Sequence, residues 1–154
     1  MEGKAELLFL IQQRCFTRVL SGAETAIAPG TDPRQRIERF IHHHVMFFAG
    51  HMSETKVLSH EAESLQGERL DTINALKRRY VALLTDLLQS ASGAHESGID
   101  PHVASYALFG MMNWIYNWYD PTESVSPEAL SEQFSRLFLS GLATHFHAPV
   151  LPGG

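Results

Sequence analysis

Nine histidines and one cysteine are the residues whose chemistry stands out in this chain of 154. His42, His43 and His44 are consecutive, so on a helix they point about 100° apart and cannot all reach one ion. His44 lies on an apolar stripe, His51 follows two turns later, and His60 and Glu61 are adjacent. These four residues frame one alternative, a metal-binding helical bundle with redox or hydrolytic activity. Against it, no helical pair of histidines brackets a glutamate in the zinc-protease manner, and no paired Glu-x-x-His motif of a di-iron bundle occurs. The Gly-x-Ser-x-Gly elbow, the phosphate-binding glycine loop and the dinucleotide fingerprint are missing as well. Cys15 falls on an apolar helix face, where a buried structural thiol sits. The reading is a non-enzyme without metal or cofactor.

The densest chemical signal is aromatic. Met111, Met112, Trp114, Ile115, Tyr116, Trp118 and Tyr119 crowd one short segment. A helix that is apolar all round must be covered on every side. In a small single-layer bundle only one face meets the chain's own core, so a partner subunit is expected to cover the rest. Aromatic and methionine enrichment is also an interface signature. The expected homodimer interface comprises Met112, Ile115, Tyr116, Tyr119, Phe134, Leu137, Phe138 and Gly141, with Gly110 and Gly141 allowing close helix approach.

The elements that position these residues are helices throughout, for apolar residues recur at helical spacing and no stretch alternates with period two. A first helix is expected over about Lys4 to Ser21, with Leu8, Ile11, Cys15, Phe16 and Val19 on one face. Asp32-Pro33 starts a second by cap plus proline, with Gln35 at the capping-box position and Ile37, Phe40, Ile41, His44, Val45 and Phe48 as its stripe. A short piece spans about Ser53 to Ser64, and a long helix runs from about Gly67 to Ser90. Asp100-Pro101 opens a helix expected to continue to Asp120-Pro121, and Ser126-Pro127-Glu128 opens the last. The fold expected is one all-α domain of about six helices over 1–144, followed by a flexible tail over 145–154.

A net charge of −5 lacks the basic surplus of a nucleic-acid-binding domain, so direct DNA binding by these residues is not expected. The longest apolar run, Tyr106 to Tyr119, falls short of the roughly 20 residues of a membrane span. The start, Met1 to Glu6, is acidic where a signal peptide is basic. A single cysteine suits a reducing compartment. The chain is expected to be cytoplasmic and independent of membranes.

Phe109-Gly110-Met111-Met112-Asn113-Trp114-Ile115-Tyr116-Asn117-Trp118-Tyr119, followed by the Ser126-Pro127-Glu128 helix start, resembles the C-terminal half of TetR-type transcriptional repressors. The nearest branch contains regulators of steroid and fatty-acid catabolism that sense coenzyme A thioesters. The likeness extends through Asp32-Pro33, Val45 to Ala49 and the Arg78-Arg79-Tyr80 helix, from roughly Lys4 to Leu142. It implies a hydrophobic effector, such as an acyl-coenzyme A thioester, in an apolar cavity between helices. Carried onto this chain, the resemblance places Phe40, His44, Phe48, Tyr80, Leu84, Met111 and Trp114 at that cavity. It places Arg78 and Arg79 at its mouth for the phosphates, since arginine pairs phosphate bidentately. Lys4-Ala5-Glu6-Leu7-Leu8 is similar to the segment just past the recognition helix. The expectation is therefore the sensing and dimerisation half of such a repressor without a helix-turn-helix.

Overall fold

The computed structural model describes residues 2–30, 32–61, 64–91 and 98–143, and every regular element among them is a helix. In chain order these are α1 (Glu2–Ile27), α2 (Pro33–Gly50), α3 (Met52–Glu61), α4 (Gly67–Ser90), α5 (Pro101–Asn113), α6 (Ile115–Trp118) and α7 (Pro127–Ala143). The segment α6 is a single turn, which leaves six longer helices, as the periodicity predicts. None of the described helices is long and apolar enough to cross a membrane. The expected tail and the side chains of His60 and Glu61 lie outside the described residues.

Three helices begin where the sequence places cap and proline together. Asp32 accepts the Arg34 N–H at 3.1 Å and Asp100 accepts the His102 N–H at 2.7 Å, each just before a proline in the first helical turn. Ser126 Oγ accepts the Ala129 N–H at 3.1 Å ahead of Pro127. Each side chain satisfies a donor that the helix start leaves without a partner, and proline loses nothing there because its position needs no N–H.

Two boundaries differ from the periodicity reading. α1 continues past Ser21 to Ile27, because Ala23 and Ile27 extend the Val19 stripe into the core and their burial outweighs the poor helix propensity of Gly22. Gly22 also has a packing role. A Cβ there would stand 2.3 Å from Cε1 of His43, whose Nε2 bonds the Val19 carbonyl at 3.1 Å across the α1–α2 contact. The helix after Asp100 is broken at Trp114. Asn117 N–H reaches back only three residues to the Trp114 carbonyl, a tighter turn than an α-helix makes, and the chain leaves helical geometry at Tyr119. The Tyr119 hydroxyl donates to the Val125 carbonyl at 2.6 Å and pins the connection to α7.

α2 is the central helix and touches all six others. Ile37, Phe40, Ile41, His44 and Val45 are buried along it. Phe40 is fully enclosed, stacked on Tyr80 at 5.1 Å between ring centroids and edge-on to Phe109 at 6.0 Å. α4 and α5 are tied by the Thr85 and Ser105 hydroxyls, 2.8 Å apart and buried. Removing the hub is expected to be severe: Phe40→Ala should lower unfolding stability by about 3–5 kcal/mol, as phenylalanine truncations in cores do. Urea titration followed by circular dichroism measures this, and a loss under about 1 kcal/mol would contradict the central placement.

Candidate functional site

Between α1, α2, α4 and α5, with Thr55 of α3 at its side, lies a mostly apolar cavity of about 440 Å³. That volume is within the range of about 300–1,000 Å³ found for small-molecule sites. α1 contributes Gln12, Cys15, Phe16 and Val19; α2 contributes His44 and Phe48; α4 contributes Lys77, Tyr80 and Val81; α5 contributes Tyr106, Phe109 and Asn113. The spacing on α1 follows directly from 3.6 residues per turn, since positions 12, 15, 16 and 19 share one face.

The polar centre of this wall is His44. Its Nδ1 is 2.7 Å from the Tyr80 hydroxyl and its Nε2 is 3.0 Å from Oδ1 of Asn113. Asn113 Oδ1 can only accept, so Nε2 carries the proton, Nδ1 is the acceptor, and the Tyr80 hydroxyl donates to it. Aromatic rings enclose the imidazole, with Phe48 at 4.3 Å and Tyr80 at 5.6 Å between centroids. Burial lowers the His44 pKa to about 3, against the opposing pull of the Asn113 bond, so the ring is neutral. Burial likewise pushes the Tyr80 phenol far above its usual value, which keeps its proton available to donate. The trio is closed: each of its ring and hydroxyl protons is committed inside the protein.

Cys15 is buried and its thiol is pushed up, mainly by burial and further by the Glu54 carboxylate. A thiol held in its protonated form is a poor nucleophile, so the cavity wall has no activated cysteine. The exposed Lys77 carries its ammonium 5.4 Å from the centroid of the Phe16 ring, a cation–π arrangement at the rim.

Of the residues expected at a ligand, His44, Phe48 and Tyr80 line the cavity together. Phe40 and Leu84 are wholly buried in the core, and Met111 packs against that core partly buried. Trp114 turns outward, 60% exposed. Arg78 and Arg79 are exposed on the outer side of α4, and Arg79 Nη2 is 3.5 Å from a Glu24 carboxylate oxygen. Gln12, Lys77 and Asn113 line the cavity although the sequence reading did not single them out. Gln12 had a legible signal, a polar residue one turn beyond Leu8 on the buried stripe of α1.

The residues expected at a subunit interface divide. Met112, Ile115, Tyr119, Phe134 and Phe138 turn into the chain's own core, whereas Tyr116, Leu137 and Gly141 stay at or near the surface. Val103, Tyr106, Trp114 and Trp118 stand on the outward side of α5 and α6, each more than half exposed, and Leu137 on α7 is 67% exposed. As for metal, no three His, Cys, Asp or Glu side chains among the described residues gather closely enough to hold an ion. The His44 nitrogens are engaged as above, and Nδ1 of His51 faces the Phe47 carbonyl at 2.6 Å.

Comparison with known proteins agrees with this architecture. The protein-family model described as "Tetracyclin repressor-like, C-terminal domain" matches residues 30–142. Among solved structures, AibR in complex with isovaleryl coenzyme A and operator DNA superposes with a TM-score of 0.77 at 24% identity, over 89% of this chain and 75% of that one. The TetR-family regulator PfmR from Thermus thermophilus gives 0.79 at 24% identity, over 90% and 76% of the two chains. A TetR/AcrR-family regulator from Thermobifida fusca gives 0.73 at 25% identity, over 88% and 73%. A search of curated protein sequences found no significant match.

The neutral imidazole makes stability depend on pH. His44 in the unfolded chain takes a proton near pH 6.5, but in the folded chain only near pH 3. Below about pH 6.5 the unfolded state therefore binds more protons than the folded state, and stability falls as pH falls. From pH 7 to pH 5 this group alone should remove about 2 kcal/mol. His43, whose pKa burial also lowers, acts in the same direction. Urea midpoints at the two pH values should differ accordingly in the native protein, and much less in His44→Gln. An equal pH dependence in the two proteins would show that His44 is not the titrating group.

Proposed function

We propose that this chain, which belongs to the family of tetracyclin repressor-like C-terminal domains, is the effector-sensing and pairing domain of a TetR-type transcriptional regulator. The observation that carries the reading is the cavity, apolar in its walls and framed by four helices. Its effector is a hydrophobic small molecule, and an acyl-coenzyme A thioester fits best. The acyl chain would occupy the apolar volume, and the phosphates would lie outside it near the Lys77 ammonium, with Arg78 and Arg79 next along α4. Isovaleryl coenzyme A bound to AibR supports this choice of ligand class. With a net charge of −5, these residues serve sensing and pairing, not direct contact with DNA.

The protein acts as a homodimer, paired through the outward faces of α5, α6 and α7. Val103, Tyr106, Trp114, Trp118 and Leu137 form the apolar surface for this contact. Gly110 and Gly141 contribute by leaving space, for among the described residues no atom beyond the adjoining residues and the helix's own backbone lies within 4 Å of a Cβ built at either. α5 connects the two functions. Its Phe109 and Asn113 face the cavity, Trp114 directly after it faces outward, and Tyr106 does both. A ligand that displaces α5 therefore changes the angle between subunits and shifts the dimer between two populations, one of which suits the operator.

Isothermal titration with octanoyl-coenzyme A should give saturable binding at one site per chain. Val81→Trp, which fills the cavity, should abolish the heat while leaving the circular dichroism spectrum unchanged. Undiminished binding by that variant would place the ligand elsewhere. Sedimentation equilibrium should return a dimer for the native chain, and Leu137→Glu with Trp118→Glu should return a monomer. A native monomer at micromolar concentration would remove the pairing role.

A further inference from the structure

Among the described residues, the one buried side-chain polar atom without a hydrogen-bond partner is Nε2 of Gln12. Gln12 is only 2% exposed and lines the cavity. Folded proteins satisfy nearly all such donors, because an unmet one forfeits its bonds to water and gains nothing in return. The neighbouring donors are already committed: the Tyr80 hydroxyl to His44, the His44 Nε2–H to Asn113, and the Thr55 hydroxyl to the His51 carbonyl at 2.9 Å. The buried Gln12 donor is thus left over, on a residue that lines a space large enough for a small molecule. Water can meet such a donor, but a carbonyl oxygen carried on a hydrocarbon chain meets it while also covering the apolar walls.

We propose that the Gln12 amide is the polar anchor of the cavity, donating to the uncharged carbonyl oxygen of an acyl derivative (a thioester, ester or ketone), and that the cavity discriminates against the free carboxylate of the same chain. The inference rests on the effector-binding reading above and adds the functional group recognised. Discrimination follows from charge. A buried carboxylate requires a paired cation or it remains in water. The imidazole in this wall is neutral, and the Lys77 ammonium sits at the exposed rim over Phe16. A chain seated with its oxygen at Gln12 therefore gains a hydrogen bond if that oxygen is neutral, and strands a charge if it is a carboxylate. A fatty acid that turned its carboxylate to Lys77 would leave Gln12 unmet and its affinity independent of that residue.

The experiment displaces N-phenyl-1-naphthylamine, a fluorescent apolar probe, with methyl octanoate and with octanoate at pH 8, using native protein, Gln12→Leu and the equally long Gln12→Met. Native protein should bind methyl octanoate at least about tenfold more tightly than octanoate. Both variants should weaken methyl octanoate by about tenfold, the worth of one well-made hydrogen bond, while binding of octanoate and of the naphthylamine stays within about twofold. Without ligand, Gln12→Leu should raise Tm, because the unmet donor is gone. Unchanged methyl octanoate affinity in the variants would overturn the inference, as would a native preference for octanoate. Native protein that binds the naphthylamine but shows no carbonyl preference overturns this inference alone. Native protein that fails to bind even the naphthylamine overturns the cavity reading with it.

Discussion

An imidazole enclosed by phenylalanine and tyrosine rings can stay there only if both of its nitrogens find partners, since an unpaired polar atom in such surroundings costs about 1–3 kcal/mol. His44 meets that requirement by drawing one group from each of two other helices, Tyr80 from α4 and Asn113 from α5. Those two bonds fix how α2, α4 and α5 stand against one another. The aromatic contacts of Phe40 with Tyr80 and Phe109 hold the same three helices from the core side. The cavity is the space left when these helices are held in place by polar bonds at one level and ring packing at another, with α1 closing the remaining side. Its shape follows from the satisfaction of one side chain.

The arrangement also explains why α5 serves two surfaces. A helix apolar on every face, standing at the edge of a bundle, buries one side against α2 and α4 and presents the other to solvent. Leu108, Phe109 and Met112 occupy the first side, Val103 and Tyr106 the second, and Trp114 just past the helix end points the same way as the second. The inward side includes the Asn113 that completes the His44 pair, next in sequence to the outward Trp114. An event in the cavity and an event on the outer face are therefore separated by the width of one helix. Coupling of that kind needs no long pathway, only a helix with two preferred positions.

Much of the fold was legible in the sequence because its signals are local. Asp32-Pro33, Asp100-Pro101 and Ser126-Pro127 start helices through bonds made within three residues, which any reader of the chain can anticipate. The stripe of α2 was legible for the same reason, and with it the burial of His44. The extension of α1 to Ile27 and the break at Trp114 were not legible. The first depends on what Ala23 and Ile27 bury against, and the second on a tight turn that propensity does not foresee. The candidate site was half legible. His44, Phe48 and Tyr80 face the cavity, but Phe40 and Leu84 stand behind it in the core and Trp114 faces away.

Residue type and spacing were enough to set the class of the molecule: helical periodicity throughout, caps that mark the helix starts, and a segment dense in aromatic side chains. Those properties are written along a single helix at a time. Which side of each helix meets which neighbour was settled only by packing. Periodicity reveals that a face is apolar but not what lies opposite it. It cannot tell that Asn113 stands across from a histidine 69 positions away, or that Gln12, one polar residue on a buried stripe, is left with a donor to give. Hydrogen-bond satisfaction is a property of groups brought together from distant parts of the chain, so the polar logic of the cavity became visible only once the helices were packed.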